Sequence, residues 1–285
     1  MELDKKKPLI ISINGGLGNQ LFMLFAGISK AIDENRDYLI YLEKNNRIFY
    51  FDSFLNHLYP KVVNYNNINI EINNIYDDNI TNFKFSPIPD NVDMIKGYYQ
   101  FYKYFDNNKQ QIIQELNLNE TKNKYRLNFR AIAIHFRLGD YLHLTHCHNV
   151  LSFIYYIKAI NYLLDNLNDF DEYKFLIFAE KENDNIINEY IYNINHNLNK
   201  PINFIKIYDI YPDATDYEEF FYMSNCQHFI IANSTFSWFG AYLCNNQDKI
   251  IIHPSQKKWF ASNNPIGKNN ELDDLFFDDW IEFDF

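Results

Sequence analysis

The sequence has few of the features that mark secreted or membrane-spanning proteins. Only three of its 285 residues are cysteine, and their scatter (Cys147, Cys226 and Cys244) argues against a disulfide framework and favours reduced thiols. No apolar run approaches the roughly 20 residues of a membrane-spanning helix. The first apolar run, residues 9–13, is too short for the hydrophobic region of a signal peptide. We therefore expect a cytoplasmic protein without a membrane span.

Positive charge is also scarce. Lys and Arg number 26 against 37 Asp and Glu, which leaves a formal net charge of −11. Sequence-independent binding to nucleic acid depends on Lys and Arg that neutralise phosphates, and anionic membrane surfaces attract the same residues. The composition thus argues against nucleic acid and membrane surfaces as partners. A small phosphate ligand stays possible, since it needs only local positive charge.

Apolar residues are plentiful, and their pattern predicts the fold class. The hydrophobic share is 47%, which is ample for packed cores, and the length suits one large or two ordinary domains. A strand at 9–13, a helix at 21–32 and a strand at 38–42 form a βαβ opening, and residues 64–89 are predicted as loops and short elements. The acidic tail, 273–285, is predicted to pack as a terminal helix or to be mobile.

Strand–helix alternation resumes after Arg130 and predicts a second parallel sheet, with the boundary near residues 122–130. The expected class is therefore α/β with two doubly wound parallel sheets. The predicted strands of the second sheet are 131–135, 175–178, 203–207, 228–232 and 250–252, and the predicted helices are 151–167, 183–195, 216–223 and 236–244.

One strand end in this second series carries a cluster of polar residues. The apolar run from Ala131 ends in His135, Arg137, Gly139 and Asp140. In open α/β sheets, ligands bind beyond the carboxyl ends of strands, and the planar donor fork of arginine fits phosphate oxygens. We interpret the segment as a phosphate site. The alternative is a surface ion pair between Arg137 and Asp140.

A glycine-rich turn follows the first strand. Gly15, Gly16 and Gly18 permit a close approach of the backbone to a ligand. No Gly-Lys-Ser/Thr follows, so the turn is not a P-loop, and Leu21 stands where a dinucleotide fingerprint has its third glycine. A simple tight turn is the alternative.

Small hydroxyl residues follow a later strand, beginning at Asn233. Ser234 and Thr235 either cap the next helix or bind an oxyanion at its N-terminus. A separate cluster raises zinc binding as an alternative, although it lacks a second ligand pair at standard spacing. The members of that cluster are His143, His146, Cys147 and His148.

Several motifs occur in a fixed order over most of the chain. They are Gly15–Phe22, Gly97–Gln100 with Lys103–Phe105, His135–Tyr141, Asp216–Cys226 with Asn233–Trp238, and Lys257–Phe260. As a set they resemble the motifs of glycosyltransferase family 11, the α-1,2-fucosyltransferases.

The resemblance implies a GT-B type fold, in which two Rossmann-like domains face each other across a cleft. Residues 1–125 would form the acceptor-side domain, and residues 126–285 the nucleotide-sugar-binding domain with a terminal tail. The implied activity is that of an inverting galactoside 2-α-L-fucosyltransferase-like hexosyltransferase, which moves L-fucose from GDP-fucose to a glycan hydroxyl. No cofactor and no metal are implied, and the partners would be the nucleotide-sugar donor and a glycan acceptor.

On this resemblance we hypothesise roles for individual residues. Arg137 would contact the pyrophosphate, Asp140 would orient Arg137 or an acceptor hydroxyl, and Asn19 would face the sugar; these are the predicted catalytic residues. Guanine needs an acceptor pair for its N1–H and N2 groups, which suits Asp213 or Asp216 equally. The complete predicted donor set is His135, Arg137, Asn233, Ser234, Thr235, Ser237, Gly16, Gly18, Asp213 and Asp216.

The sequence also departs from the family pattern. Leu138 stands where a second arginine is usual, Ala179-Glu180-Lys181 replaces a common Ser-Asp-Asp, and Phe239 replaces a frequent tryptophan. Two alternatives therefore stay open. One is a transferase that uses another nucleotide-deoxysugar, such as a rhamnose donor, and the other is a non-catalytic nucleotide- or glycan-binding relative.

Overall fold

A computed structural model describes residues 6–44, 47–64, 70–78, 85–261, 264 and 274–284. The chain divides into two compact units, Met1–Thr121 with Glu271–Phe277 and Lys122–Asn270 with Asp278–Phe285. Each unit contains one parallel sheet, which confirms the predicted α/β class with two parallel sheets. The predicted domain boundary, between residues 125 and 126, lies a few residues beyond the boundary in the structure. The prediction also did not assign the segment Glu271–Phe277 to the first unit.

The N-terminal unit holds a five-stranded sheet. Its elements, in chain order, are β1 (Leu9–Ile13), α1 (Leu17–Asp33), β2 (Tyr38–Leu42), β3 (Val62–Val63), β4 (Ile75–Asp77), β5 (Met94–Lys96), α2 (Lys109–Glu115) and α3 (Leu118–Lys124), the last of which contains the change of unit. The strand order is β3-β2-β1-β5-β4, with every pairing parallel. All five residues of β1 are buried, as expected for the central strand of a parallel sheet.

Helix α1 packs closely against β1. A β-carbon on Gly27 would lie 2.5 Å from the Ile11 side chain, so glycine is what allows this close approach. Phe22 and Phe25 contact Phe105 edge-on, with ring centroids 5.8 and 5.4 Å apart. At 17 residues α1 is the longest described helix, and no helix among the described residues is long and apolar enough to cross a membrane.

The C-terminal unit holds a six-stranded sheet in the order β11-β10-β9-β6-β7-β8, again with every pairing parallel. Read from the β8 edge and numbered by their appearance in this unit, the strands come in the order third, second, first, fourth, fifth and sixth. This is the doubly wound order of nucleotide-binding sheets. Its elements are β6 (Ala131–His135), α4 (Phe153–Asn166), β7 (Lys174–Phe178), α5 (Asp184–Asn197), β8 (Phe204–Lys206), α6 (Ile207–Ile210), α7 (Asp216–Ser224), β9 (His228–Ile230), α8 (Thr235–Tyr242), β10 (Ile251–Pro254) and β11 (Ile281–Phe283).

The C-terminal tail forms a strand, so the predicted terminal helix is wrong. β11 pairs in parallel with β10, and the Glu282 carboxylate accepts a hydrogen bond from the Gln256 backbone N–H at 2.9 Å. Within the region predicted as loops and short elements, residues 64–89, the structure has the three-residue strand β4. Residues 65–69 and 79–84 of that region, and the tail residues Asp273 and Phe285, lie outside the described residues.

All three tryptophans of the chain belong to the C-terminal unit. Trp238 is fully buried on α8, and Trp259 and Trp280 are also buried. The Trp238 and Trp280 rings lie 5.3 Å apart between centroids. They form part of the core behind the start of α8.

Candidate functional site

The C-terminal sheet has a topological switch point between β6 and β9. The chain runs from β6 through β7 to β8 on one side of β6 and then crosses to β9 on the other. Ligands of doubly wound folds bind outside the carboxyl ends of the strands at such a point. The segments after β6 and β9 meet there, because the Tyr141 hydroxyl donates a hydrogen bond to the Asn233 carbonyl oxygen at 3.0 Å.

Unsatisfied polar atoms concentrate at this edge. Within the described part of the chain, four buried side-chain atoms here have no hydrogen-bond partner: His135 Nδ1, His148 Nδ1, Glu180 Oε2 and Asn233 Oδ1. Buried polar groups are nearly always hydrogen-bonded, so such a group of exceptions requires a physical reason. A bound ligand with several donors and acceptors supplies one.

Arg137 is the cation of the site. Its half-buried guanidinium forms ion pairs with Asp140 and Glu180, and it lies 4.7 Å from the centre of the Tyr141 ring. The ion pair with Asp140 considered in the sequence analysis is thus present, and Glu180 adds a second carboxylate. A phosphate that binds Arg137 competes with these two carboxylates for the guanidinium.

His135 ends β6 and is almost completely buried. Burial and the nearby Arg137 charge lower the pKa of His135 to about 3, so its ring is neutral at physiological pH. A neutral imidazole offers one donor and one acceptor. His135 therefore supplies hydrogen bonding to the site and no charge.

Asn233 is fixed by its neighbours. Its Nδ2 group donates to the carbonyl oxygens of Asn149, at 2.9 Å, and Trp259, at 3.0 Å, which leaves Oδ1 as the unpartnered atom. Next to it, the rings of Tyr141 and His148 stack, with centroids 4.1 Å apart. These contacts lock the loops after β6, β9 and β10 together at the switch point.

The start of α8 follows Asn233 directly. Ser234 is the N-cap residue, and its side chain makes no capping hydrogen bond. Ser237 is fully buried, and its hydroxyl donates to the Ser234 carbonyl oxygen at 3.3 Å, so it holds the turn from inside. Thr235 begins the helix and is half-buried. The first backbone N–H groups of α8 have no intrahelical partner and favour an anion.

The predicted base-reading carboxylates lie around the start of α7. Asp213 is exposed, and Asp216 is exposed with its carboxylate accepting the Tyr217 backbone N–H at 2.8 Å. Glu219 is absent from the predicted set. Burial, together with the charges of Asp216, Glu180 and Glu182, raises the pKa of Glu219 to about 7. The electrostatic interaction with Glu180 connects Glu219 to the Arg137 site.

The side chains of the histidine and cysteine cluster do not gather at one point in the structure. His143 and His146 are exposed, and His148 stacks on Tyr141. Across the described residues, no three His, Cys, Asp or Glu side chains gather closely enough to hold a metal ion.

The N-terminal sheet has its own switch point, between β1 and β5. Gly15, with φ +79°, turns the chain after β1; Gly16 is exposed, and Gly18 is buried in the first turn of α1. Asn19, on the same turn, accepts a hydrogen bond from Gln100 Nε2 at 2.8 Å. That bond connects the segment after β1 with the segment after β5.

A carboxylate absent from the predicted set stands at the same edge. Glu43 follows β2, and its two oxygens accept hydrogen bonds from Ser12 Oγ at 2.6 Å and Asn14 Nδ2 at 2.8 Å. Burial and the Glu43 charge raise the pKa of Tyr98, while Arg47 lowers it, so Tyr98 lies within electrostatic reach of Glu43. The strand-end rule that singled out Arg137 applies equally to Glu43 after β2 and to Glu180 after β7.

Comparison with known proteins identifies the family. Over 159 residues the chain is 33% identical to the O-antigen biosynthesis glycosyltransferase WbnK of Escherichia coli, covering 54% of this chain and 45% of that protein. This match therefore spans less than half the length of WbnK. The chain is also 24% identical to an alpha-1,2-colitosyltransferase of Escherichia coli over 283 residues, covering 88% of this chain and 92% of that protein.

Among solved structures, the fucosyltransferase NodZ from Bradyrhizobium is similar with a TM-score of 0.46 and 10% identity, over 86% of this chain and 96% of NodZ. A family 9 glycosyl transferase from Veillonella parvula is similar with a TM-score of 0.44 and 12% identity, over 100% of this chain and 88% of that one. The family model described as "Glycosyl transferase family 11" matches residues 11–283 of the chain. Because this match covers nearly the whole sequence, the chain belongs to glycosyltransferase family 11.

Proposed function

We propose that the protein is an inverting glycosyltransferase that moves L-fucose from GDP-fucose to a glycan hydroxyl in an α-1,2 linkage. One observation carries this proposal. The Arg137 cation and four buried polar atoms without hydrogen-bond partners within the described residues lie at the β6/β9 switch point. Family membership supplies the reaction class. The donor sugar and the linkage are the parts that the proposal adds.

The reaction would be a single displacement. The acceptor hydroxyl oxygen forms a bond to the anomeric carbon as the bond from that carbon to the phosphate oxygen breaks. The O–H bond of the acceptor also breaks, and its proton is released to solvent. Positive charge grows on the sugar ring and negative charge on the departing GDP. The Arg137 guanidinium and the first N–H groups of α8 are the donors suited to that negative charge.

The unpartnered atoms suit a nucleotide better than a phosphate alone. Asn233 Oδ1 can only accept, so it needs a donor from the ligand, such as a ribose hydroxyl or the N1–H and N2 groups of guanine. His135 Nδ1 is a donor or an acceptor according to its tautomer. Phosphate oxygens supply acceptors only, and Arg137 is the donor for them.

The proposals for the linkage and the donor sugar rest on the similar proteins. The alpha-1,2-colitosyltransferase is similar over most of both chains, which supports a 1,2 linkage and makes colitose a second candidate sugar. A rhamnose donor is the further alternative, because Leu138 replaces the usual second arginine.

Calorimetry followed by product analysis tests the proposal. We expect GDP to bind the protein, UDP and dTDP to bind at least 10-fold more weakly, and Arg137→Ala to lose most of the GDP affinity. Mass spectrometry of products from GDP-fucose, GDP-colitose and GDP-rhamnose on a panel of β-galactosides then identifies the sugar. Tight GDP binding without hydrolysis or transfer from any donor would instead identify a non-catalytic nucleotide-binding relative.

A further inference from the structure

The carboxylate of Glu43 is held in place by hydrogen bonds, and the proposed donor reaction assigns no role to it. Its backbone N–H donates to the Ile13 carbonyl oxygen at 3.0 Å, and Ser12 and Asn14 fix one oxygen each. A carboxylate has about four acceptor positions, so these two bonds leave capacity for a ligand. The side chain is only partly buried, so a ligand has access to it.

Acidic residues at the position of Glu43 bind ligand hydroxyl groups in other doubly wound folds. Glu43 follows the second strand of a βαβ unit whose first turn is glycine-rich. In doubly wound folds, an acidic residue at this place hydrogen-bonds ribose hydroxyls. The geometry suits any pair of neighbouring hydroxyls on a sugar ring, because the two oxygens of a carboxylate match two adjacent O–H donors.

The neighbours of Glu43 add the other features of a sugar site. The half-buried ring of Tyr98 lies against Gly15, where a β-carbon would come within 3.5 Å of Tyr98 Cε1. Gln20 is 1% exposed; its Nε2 group donates to the carbonyl oxygens of Gly15 and Ile48, and its Oε1 atom has no partner within the described residues. A ligand hydroxyl is a suitable hydrogen-bond donor for the Gln20 Oε1 atom.

The polar groups of this edge indicate the kind of ligand. Glu43 carries a negative charge that repels phosphate, and Arg47 is a cation within electrostatic reach of Tyr98. The neutral amides of Asn14, Asn19 and Gln100 also line the edge. An aromatic ring with a few placed polar groups is typical of a site for a neutral small molecule. The edge therefore favours a neutral polyhydroxylated ligand.

We propose that Glu43 binds two neighbouring hydroxyls of a neutral sugar, with Tyr98 packed against the sugar ring, and that this sugar is the acceptor. The identification of the sugar as acceptor rests on the proposed transferase function. The binding site itself lies within the N-terminal unit and is testable without any donor.

Saturation-transfer NMR with methyl β-D-galactopyranoside, methyl β-D-glucopyranoside and methyl N-acetyl-β-D-glucosaminide tests the site. We expect the wild-type protein to bind at least one of them. Glu43→Gln should weaken that binding roughly 10-fold or more, as expected for the loss of a charge-assisted hydrogen bond. Tyr98→Ala should also weaken it. The control Glu120→Gln, which changes an exposed carboxylate of the same unit, should bind as wild type does.

Deoxy analogues of the bound sugar give a second measurement that needs no variant. Removing one of the two hydroxyls that face Glu43 should weaken binding to wild type but not weaken it further in Glu43→Gln. Wild-type protein that binds none of the sugars, or Glu43→Gln and Tyr98→Ala proteins that bind them unchanged, would overturn the proposal. GDP calorimetry on the same variants separates the two hypotheses, because a wild-type protein that fails to bind GDP contradicts the transferase function instead.

Discussion

A β-carbon on Gly139 would lie 2.6 Å from the Oε1 atom of Glu180, much closer than two such atoms normally approach. Gly139 also has φ +28°, a backbone conformation that favours glycine. Glycine at this position therefore does two things. It turns the chain after Arg137, and it leaves the space in which Glu180 reaches the guanidinium.

Gly139→Ala should damage the site more than the fold. The added methyl group displaces Glu180 from Arg137, and the left-handed backbone costs roughly 1–2 kcal/mol. We expect a modest fall in the melting temperature and a larger change in donor kcat/KM. The double variant Gly139→Ala/Glu180→Ala removes the clash, so the two substitutions should be clearly non-additive. Additive effects on kcat/KM would show that the contact has no part in activity.

Arg137→Ala should reduce turnover by roughly 10²–10³, the range seen when a donor to a developing oxyanion is lost. Arg137→Lys should restore little, because an ammonium group cannot reproduce the planar fork. Initial rates of transfer at saturating acceptor measure both. Arg126→Ala is a matched control, since Arg126 is exposed and its guanidinium donates to Asn123 Oδ1. Transfer by Arg137→Ala close to the wild-type rate would remove Arg137 from the mechanism.

Glu180→Gln should tighten GDP binding by roughly 3- to 10-fold. Glu180 competes with phosphate for Arg137 in the free protein, and the amide keeps the shape while it removes the competing charge. Isothermal calorimetry measures the change. Glu172→Gln, which removes a carboxylate paired with Arg130 in the same unit, should leave the affinity unchanged. Weaker binding by Glu180→Gln would mean that Glu180 contacts the nucleotide or positions Arg137 for it.

Glu219→Gln should raise stability at alkaline pH. The pKa of Glu219 is raised from 4.5 to about 7 by burial and by neighbouring carboxylates, so the folded protein keeps a proton that the unfolded chain loses above pH 4.5. This contribution therefore favours folding at low pH and is lost as pH rises from about 4.5 to about 7.

The difference between Glu219→Gln and wild type should be small at pH 5 and reach roughly 1–2 kcal/mol at pH 8 after allowance for solvent screening. Thermal unfolding at the two pH values measures it, at about 2–4 °C for each kcal/mol. Glu189→Gln, which changes an exposed carboxylate on α5, is the control. An equal shift at both pH values would contradict a titration of Glu219.

The fold was predictable where strands are five residues long and mainly apolar. The strands Leu9–Ile13, Tyr38–Leu42 and Ala131–His135 were predicted residue for residue. The first and third of them are buried throughout, and the second is partly buried. The strand Val62–Val63 was missed, and Ile75–Asp77 was predicted only as part of a region of loops and short elements, because two or three residues carry no period. The tail strand β11 was missed because its acidic surroundings resemble an exposed segment.

The candidate site was predictable to the extent that it follows strand ends. His135 ends β6, and Arg137 and Asn233 follow β6 and β9 within three residues. The structure brings the two segments together through Tyr141 and Asn233. Glu43 and Glu180 also follow strands, but a single carboxylate without a motif around it gave no signal. Glu219 lies on a helix, and only the tertiary packing that places it near Glu180 marks it.

The confinement of Trp238, Trp259 and Trp280 to the C-terminal unit makes the protein its own spectroscopic reporter. Indole emission comes from that unit alone, whereas tyrosines of the N-terminal unit are silent when excitation is set at the red edge of absorption. Trp238 lies on the helix that starts beside Asn233, so a nucleotide bound there sits one packed layer from a fluorophore. Quenching titrations can thus follow ligand binding to the C-terminal unit selectively, and denaturation followed at two wavelengths can separate the unfolding of one unit from that of the other.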